Sequence, residues 1–306
     1  MNYLITVVGP TAIGKTALSI KLAQHFKAEI ISCDSRQFFK EMTIGTAVPE
    51  PEELAAATHH FIQNKSIHEA YSVGHFEREA LQKLEELFTI NNIVIMVGGS
   101  GLYLDAVING LDHFPTIDAS VRDELNTRLE TEGLASLQNQ LKELDPETYN
   151  EIAIENPHRI IRALEVCIGS GQTYSSFKNK PKAPRNFTPI KVGLTADRHV
   201  IYDRINRRVD IMLEKGLLKE VESLYNLKHL NALQTVGYRE LFLYLDGTID
   251  FDFAVSEIKK NSRRFAKRQL TWFKKDEETL WFDYMANTNN IIKSIKNVIK
   301  NKNSSI

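Results

Sequence analysis

Cysteine is scarce, with two in 306 residues, Cys33 and Cys167. A disulfide framework is therefore excluded, and so is a zinc module built on clustered cysteines. Each reads as a small buried apolar side chain rather than a reactive thiol. No uninterrupted apolar run approaches the ~20 residues that a membrane-spanning helix needs. The first residues, Met1-Asn2-Tyr3-Leu4-Ile5, lead straight into a strand pattern and lack the basic start and small-residue cleavage site of a signal peptide. A cytoplasmic, reducing setting without a membrane is predicted. An excess of either charge is missing too, with a formal net charge of −1. That removes global basicity as a sign of nucleic acid, but a local basic face is enough to bind phosphates. No internal repeat is present, and no low-complexity block beyond a polar tail over residues 300–306.

What is there is an ordinary globular composition, 42% hydrophobic and 25% charged, on a chain long enough for one large or two modest domains. Three short apolar, β-rich runs cover residues 4–8, 29–33 and 93–97, each bounded by turn residues and separated by helical patterns. This is the rhythm of a parallel sheet covered by helices, in which buried strands read as continuous apolar runs. A fourth run at 190–194 arrives much later. Between the third and fourth, residues 120–144 read as helical, with Leu125, Leu129, Leu137, Leu141 and Leu144 on apolar faces, and another helix fits 157–167. Residues 170–189 are rich in Lys, Pro, Ser and Asn, the composition of a flexible connection. The expected fold is α/β: a P-loop NTPase-like parallel sheet flanked by helices over residues 1–111 and 187–306, with a helical insertion at 112–186. The C-terminal part reads as mostly helical, punctuated by Gly216, Gly237 and Gly247.

Gly9-Pro10-Thr11-Ala12-Ile13-Gly14-Lys15-Thr16 fits G-x-x-x-x-G-K-[ST], between a strand and an amphipathic helix carrying Leu18, Ile20, Leu22, Ala23 and Phe26. Glycines let the backbone curl so that several N–H groups point at one anion, and the new helix adds its positive end. Lys15 neutralises phosphate oxygens, and the Thr16 hydroxyl is a ligand for Mg2+. The second strand ends in Asp34-Ser35-Arg36-Gln37. A carboxylate at a strand tip lies near such a loop, where it serves as Mg2+ ligand, as general base or, more blandly, as a helix N-cap. The third strand ends in Gly98-Gly99-Ser100-Gly101 without an acid, so the Walker-B Asp of a motor ATPase is missing, and no guanine-reading N-K-x-D run occurs. Motor ATPases and switch GTPases are disfavoured.

Lys259, Lys260, Arg263, Arg264, Lys267, Arg268, Lys274 and Lys275 crowd a short helical stretch, followed within it by Gln269, Thr271 and Trp272. Lys260, Arg264 and Arg268 are four apart and share a face, a local patch for a polyanion. Trp272 reads as core. A second basic cluster is Arg204, Arg207 and Arg208, and a third is His158-Arg159-Ile160-Ile161-Arg162 in the insertion. Three separated basic sites suit a ligand long enough to touch all of them.

The chain resembles the tRNA dimethylallyltransferase family, bacterial type. The matching segments are GPTAIGKT from Gly9, DSRQ from Asp34, IGTA from Ile44, GGSGLY from Gly98, NPHRIIRALEV from Asn156, TVGYRE from Thr235 and AKRQLTWF from Ala266. They run in family order over nearly the whole chain. It departs from the family in having Phe38-Phe39-Lys40 after DSRQ, Ser100 in place of the usual Thr, and Val48-Pro49 after IGTA; a C-terminal zinc finger is absent. The resemblance implies an enzyme that transfers a dimethylallyl group from its diphosphate to N6 of the adenosine next to the anticodon of tRNA. It implies that Lys15 and Thr16, with the loop from Gly9 through Pro10, Thr11, Ala12, Ile13 and Gly14, hold the diphosphate, assisted by Mg2+ at Thr16. Asp34 is then the general base, and Thr16 and Arg208 act on the leaving diphosphate. Asp34, Ser35, Arg36, Gln37, Ser100, Arg122, Arg159, Arg162, Gly237, Tyr238, Arg239, Arg264, Lys267 and Arg268 are the implied tRNA-facing positions. The expected partners are tRNA and dimethylallyl diphosphate, with the chain a monomer. The alternatives are a P-loop small-molecule kinase, a prenyltransferase acting on free adenine nucleotides, and an RNA-binding module without turnover.

Overall fold

The structure, a computed structural model, describes residues 1–304. β1 (Asn2–Val8), β2 (Ile30–Ser32), β3 (His59–His60), β4 (Ile93–Val97), β5 (Phe187–Thr195) and β6 (Leu280–Asp283) form one sheet in the order β3-β2-β4-β1-β5-β6. Every pair is parallel, with Ile5 opposite Ile95 and Ile190, and Ile31 opposite Met96. Alternation along β1 explains why both faces are covered. Tyr3, Ile5 and Val7 enter one core with Leu18 and Leu22 of α1 (Lys15–Phe26). Leu4 and Val8 enter the opposite core. That second layer holds Phe76 and Leu84 of α3 (Val73–Phe88) and Leu104 and Val107 of α4 (Gly101–Asn109); α2 (Pro51–Ala56) is a short surface helix without buried residues.

The chain divides into two compact units: Gly110–Pro184, and the remainder comprising Met1–Asn109 and the chain from Arg185 onward. The turnover at 185 has a local cause. The Arg185 guanidinium donates to the carbonyls of Val107 (2.8 Å) and Ala106 (2.9 Å) and to Glu77 (2.7 Å), which fastens it to the end of α4. The smaller unit consists of α5 (Ala119–Glu132), α6 (Leu134–Leu144), α7 (Pro146–Glu151) and α8 (Pro157–Ser170) around Leu125, Leu137, Leu141, Ile160, Ile161 and Leu164. The helical reading of 120–144 breaks in two at Gly133, which adopts a φ of 79°. Leu144, expected on an apolar face, is exposed.

After β5 come α9 (Arg198–Glu214), α10 (Leu217–Ser223), α11 (Tyr238–Leu245), α12 (Phe251–Phe273) and, beyond β6, α13 (Thr288–Ser304). α9 and α13 complete the first core through Ile201, Ile205, Ile291 and Ile295. Val209, Leu217, Leu233, Tyr238, Leu241 and Ile258 build a third core among the later helices. The polar tail expected from residue 300 is helical through Ser304, and residues 305–306 lie outside the described residues. Strand β5 starts at Phe187, inside the stretch expected to be a flexible connection, and contains Pro189. A proline is tolerated there because β6 pairs only from Val192, which leaves that side of Pro189 without a ladder partner. No helix among the described residues is long and apolar enough to cross a membrane.

Candidate active site

The loop from Gly9 to the start of α1 curls through backbone conformations that favour glycine, with φ of 141° at Gly9 and 108° at Gly14. Ala12 also has positive φ, 63°, a conformation a residue with a Cβ seldom takes. No side chain caps α1 and no acid sits in its first turn, so its leading amides and their partial positive charge remain for an anion. The Lys15 ammonium donates to the Pro10 carbonyl at 2.8 Å. Although Lys15 keeps part of its surface, the ammonium itself is enclosed. Burial pushes it down to about 8, with Asp34 pulling the other way and Arg208 adding to the fall.

Two arginines one turn apart on α9 close the loop from the other side. Arg208 donates to the Thr11 hydroxyl (3.2 Å) and Arg204 to the Ala12 carbonyl (2.7 Å), while Arg207 turns outward to Asp203. Burial also lowers the Arg208 guanidinium below its ordinary value, and Asp34 again opposes this. Asp34 lies close enough to the cradle for its charge to act on both Lys15 and Arg208. No helix begins after it, which removes the N-cap reading. Instead Oδ1 accepts from the Arg36 N–H (3.1 Å) in a local turn. Oδ2 has no protein partner among the described residues.

β1 and β2 are not neighbours, because β4 lies between them. The Gly98-Gly99-Ser100-Gly101 turn at the end of β4 therefore separates the cradle from Asp34, and its glycines are dictated by close approach. A Cβ on Gly98 would collide with Cys33, one on Gly99 with the amide of Gln269, and one on Gly101 with the ring of Trp272. Gln269 is buried, its Oε1 accepting from Thr11 N–H (2.8 Å) and its Nε2 donating to the Gly99 carbonyl (3.0 Å). One side chain of α12 thus ties the anion loop to the β4 turn. No motif in the sequence assigns Gln269 a role, although its spacing with buried Ala266 and Phe273 marks a polar residue on a core face. Trp272, expected as core, is 40% exposed, covers Gly101 and donates Nε1–H to Asp105 at 2.9 Å.

Ser100 joins Asp34's turn: its hydroxyl accepts from the Ser35 N–H at 3.1 Å and lies 3.1 Å from the Ser35 hydroxyl. Arg36 reaches the carbonyls of Asn231 and Ala232, and Gln37 those of Thr46 and Ala47. Of the segment 237–239, only Arg239 is exposed. Gly237 and Tyr238, both expected among the tRNA-facing positions, are buried. The ring fills the third core, and its hydroxyl donates to Glu220 at 2.6 Å. Glu220 is a further residue that no sequence motif points to.

The basic run on α12 is only partly open. Lys259 pairs with Asp210 and Lys260 with Glu257 (2.6 Å each), and Arg263 donates to Asn206 (2.7 Å). Arg264, Lys267 and Arg268 are exposed and have no acidic partner among the described residues. In the smaller unit, Arg122 and Arg162 each donate to one oxygen of Glu165 at 3.0 Å, and Arg159 is exposed. The Glu165 carboxylate is almost covered. It fixes the two guanidinium groups while leaving each partly open.

Among the described residues no group of three or more His, Cys, Asp or Glu side chains gathers as a metal site. The donors near the cradle are the Thr16 hydroxyl, without a protein partner, and the free Asp34 oxygen. This sparse set fits an ion such as Mg2+, which keeps waters and takes most other ligands from phosphate oxygens.

Comparison with known proteins gives consistent relatives in sequence and in fold. A tRNA dimethylallyltransferase of Flavobacterium johnsoniae is 64% identical over all of both chains. The full-length tRNA isopentenylpyrophosphate transferase of Bacillus halodurans superimposes with a TM-score of 0.72 at 37% identity, covering 99% of this chain and 97% of that one. A eukaryotic dimethylallyltransferase acting on tRNA gives a TM-score of 0.81 at 25% identity, covering 98% of this chain and 80% of that one. The sequence profile described as IPP transferase matches residues 37–276. On this agreement of sequence and fold, the chain belongs to the IPP transferase family.

Proposed function

We propose that this chain transfers a dimethylallyl group from dimethylallyl diphosphate to N6 of the adenosine adjacent to the anticodon of tRNA. The observation that carries the reading is the placement of Asp34: the glycine turn after β4 packs against Asp34 at Gly98 and lies beside the Lys15 ammonium at Gly99, and one Asp34 carboxylate oxygen has no partner among the described residues. An exocyclic adenine amine is a weak nucleophile, because its lone pair is delocalised into the ring. As N6 forms a bond to the allylic carbon, the carbon–oxygen bond breaks and its electron pair leaves on the diphosphate. The N6 proton passes to Asp34. Lys15, Arg208 and the amides at the start of α1 meet the charge that grows on the departing oxygen. Thr16 would hold Mg2+, which supplies further charge neutralisation on the diphosphate when bound.

The target base has to leave its stack to meet the prenyl carbon, and single-stranded loops make this cheap. Ser35, Gln37 and Ser100 surround the tip that carries Asp34, and Arg239, Arg264, Lys267 and Arg268 offer cationic surface in the same unit. Arg122, Arg159 and Arg162 offer it on the helical unit. A small-molecule kinase has no use for such separated basic sites. Incubation with radiolabelled dimethylallyl diphosphate and either unmodified tRNA or AMP tests the reading. Label is expected in tRNA; label in AMP but not in tRNA overturns it.

A further inference from the structure

We propose that Glu220 is a positioning residue for the base pocket, holding Gln37 so that its amide oxygen, and not its N–H groups, is presented to the target purine. This rests on the prenyl-transfer reading above. Glu220 lies on α10, in a different core from the sheet, yet its carboxylate collects four donors. Oε2 accepts from the N–H groups of Thr43 (3.1 Å) and Ile44 (2.7 Å). Oε1 accepts from the Gly45 N–H (3.0 Å) and the Tyr238 hydroxyl (2.6 Å). Three successive amides converging on one anion form a nest, a geometry that ordinarily binds a phosphate or similar group. Here the anion is a side chain, and what it fixes is the turn.

The turn is braced on its other side by the Tyr238 ring. A Cβ on Gly45 would lie 2.5 Å from that ring, so the backbone rests directly against its hydroxyl end. The chain then closes through Thr46, whose hydroxyl donates to the Met42 carbonyl (2.7 Å), and through Ala47, with a φ of 52° and its N–H on the Ile44 carbonyl (3.0 Å). The result is a pair of adjacent carbonyls, Thr46 and Ala47, which both accept from Gln37 Nε2 at 3.2 and 2.8 Å.

An amide nitrogen has two N–H groups, and both are committed. Rotating the amide by a half turn would set its oxygen against two carbonyl oxygens, so one orientation is enforced. The remaining polar atom, Oε1, meets only the Ser32 hydroxyl at 3.4 Å, on the strand that ends in Asp34. A fixed acceptor at that tip matches the exocyclic amine of a 6-aminopurine and is mismatched to the oxygen of a 6-oxopurine. Were the turn free to move away, Gln37 would regain its N–H groups and could donate to such an oxygen. Glu220 therefore sharpens base choice without touching the base.

The experiment compares affinities for anticodon stem-loop RNAs carrying adenosine or inosine at the target position. The wild type is measured beside Glu220→Gln, which sets an amide NH2 against a backbone N–H, and Tyr238→Phe, which keeps the ring but deletes one donor. Wild type is expected to favour adenosine. Glu220→Gln is expected to reduce the adenosine-to-inosine ratio about tenfold, the worth of one well-placed hydrogen bond, and Tyr238→Phe by less. Affinity for dimethylallyl diphosphate is expected to stay at its wild-type value in both. General loosening or partial unfolding lowers both RNA affinities together and leaves their ratio alone. A ratio unchanged in both variants, or a wild type indifferent to the two bases, overturns the proposal while transfer by the wild type stands. Absence of any transfer by the wild type overturns the reading beneath it, and the proposal with it.

Discussion

At Lys15, burial and charge pull in opposite directions. The ammonium is held at about 8 against an ordinary 10.5, because enclosure outweighs the attraction of Asp34. The folded value lies below the unfolded one, so between about 8 and 10.5 the folded state holds fewer protons and stability rises with pH. Below that window the enclosed charge destabilises the fold, a common feature of binding sites. Lys15→Met is therefore expected to melt above the wild type at pH 7, with the gap narrowing at pH 10; a gap that widens contradicts the assignment. At Asp34, replacement by Asn keeps the acceptor for the Arg36 N–H and removes the base. Single-turnover transfer should slow by ~10²-fold or more with tRNA affinity nearly unchanged, and an unaltered rate rejects the base role. These two residues were legible because a loop motif and a strand tip are local patterns. Glu220 and Gln269 were not: their partners stand 175 and 258 residues away in the chain, and no local spacing announces such a brace.

On the scale of elements, α12 performs two tasks with different residues. Its inward face keys the anion loop to the β4 turn through Gln269, and its outward face carries Arg264, Lys267 and Arg268. Gln269→Leu strands the Thr11 N–H and the Gly99 carbonyl, each worth about 1–3 kcal/mol if left unpaired. The expected result is a several-fold rise in KM for dimethylallyl diphosphate with tRNA affinity retained; an unchanged KM contradicts the tie. Arg264→Ala with Arg268→Ala should weaken tRNA binding at low salt, with the deficit shrinking as salt rises. Lys259→Ala should do much less, since Lys259 is already paired with Asp210. A salt-independent deficit argues against phosphate contacts. The charge run was legible as a basic helix, but which charges are spent inside the protein depends on α9 packing against it. Trp272 was misread for a similar reason. Its place is set by a bare glycine on α4 and by Asp105, neither visible from the run itself. β3 and β6, two and four residues long, are too short to leave a period in the sequence.

For the whole molecule, the order β3-β2-β4-β1-β5-β6 decides the chemistry. With β4 between β1 and β2, the cradle and Asp34 meet across the glycine turn at 98–101, so the proposed reaction site lies where three strand ends and α12 converge. The alternation of apolar runs and helical patterns announced a parallel sheet and a helical segment set into it. It did not announce strand order, which follows from long-range pairing rather than from any segment's own pattern. The account stands or falls on the joint use of the cradle and Asp34 on one RNA base. The most direct test is the mass of a defined, unmodified tRNA after incubation with the protein, dimethylallyl diphosphate and Mg2+, followed by mapping of the altered nucleotide. Gain of one five-carbon prenyl unit on the adenosine beside the anticodon, lost with Lys15→Met and slowed with Asp34→Asn, is the predicted result. A tRNA of unchanged mass while the prenyl donor is consumed, or a gain that persists undiminished in Asp34→Asn, contradicts it.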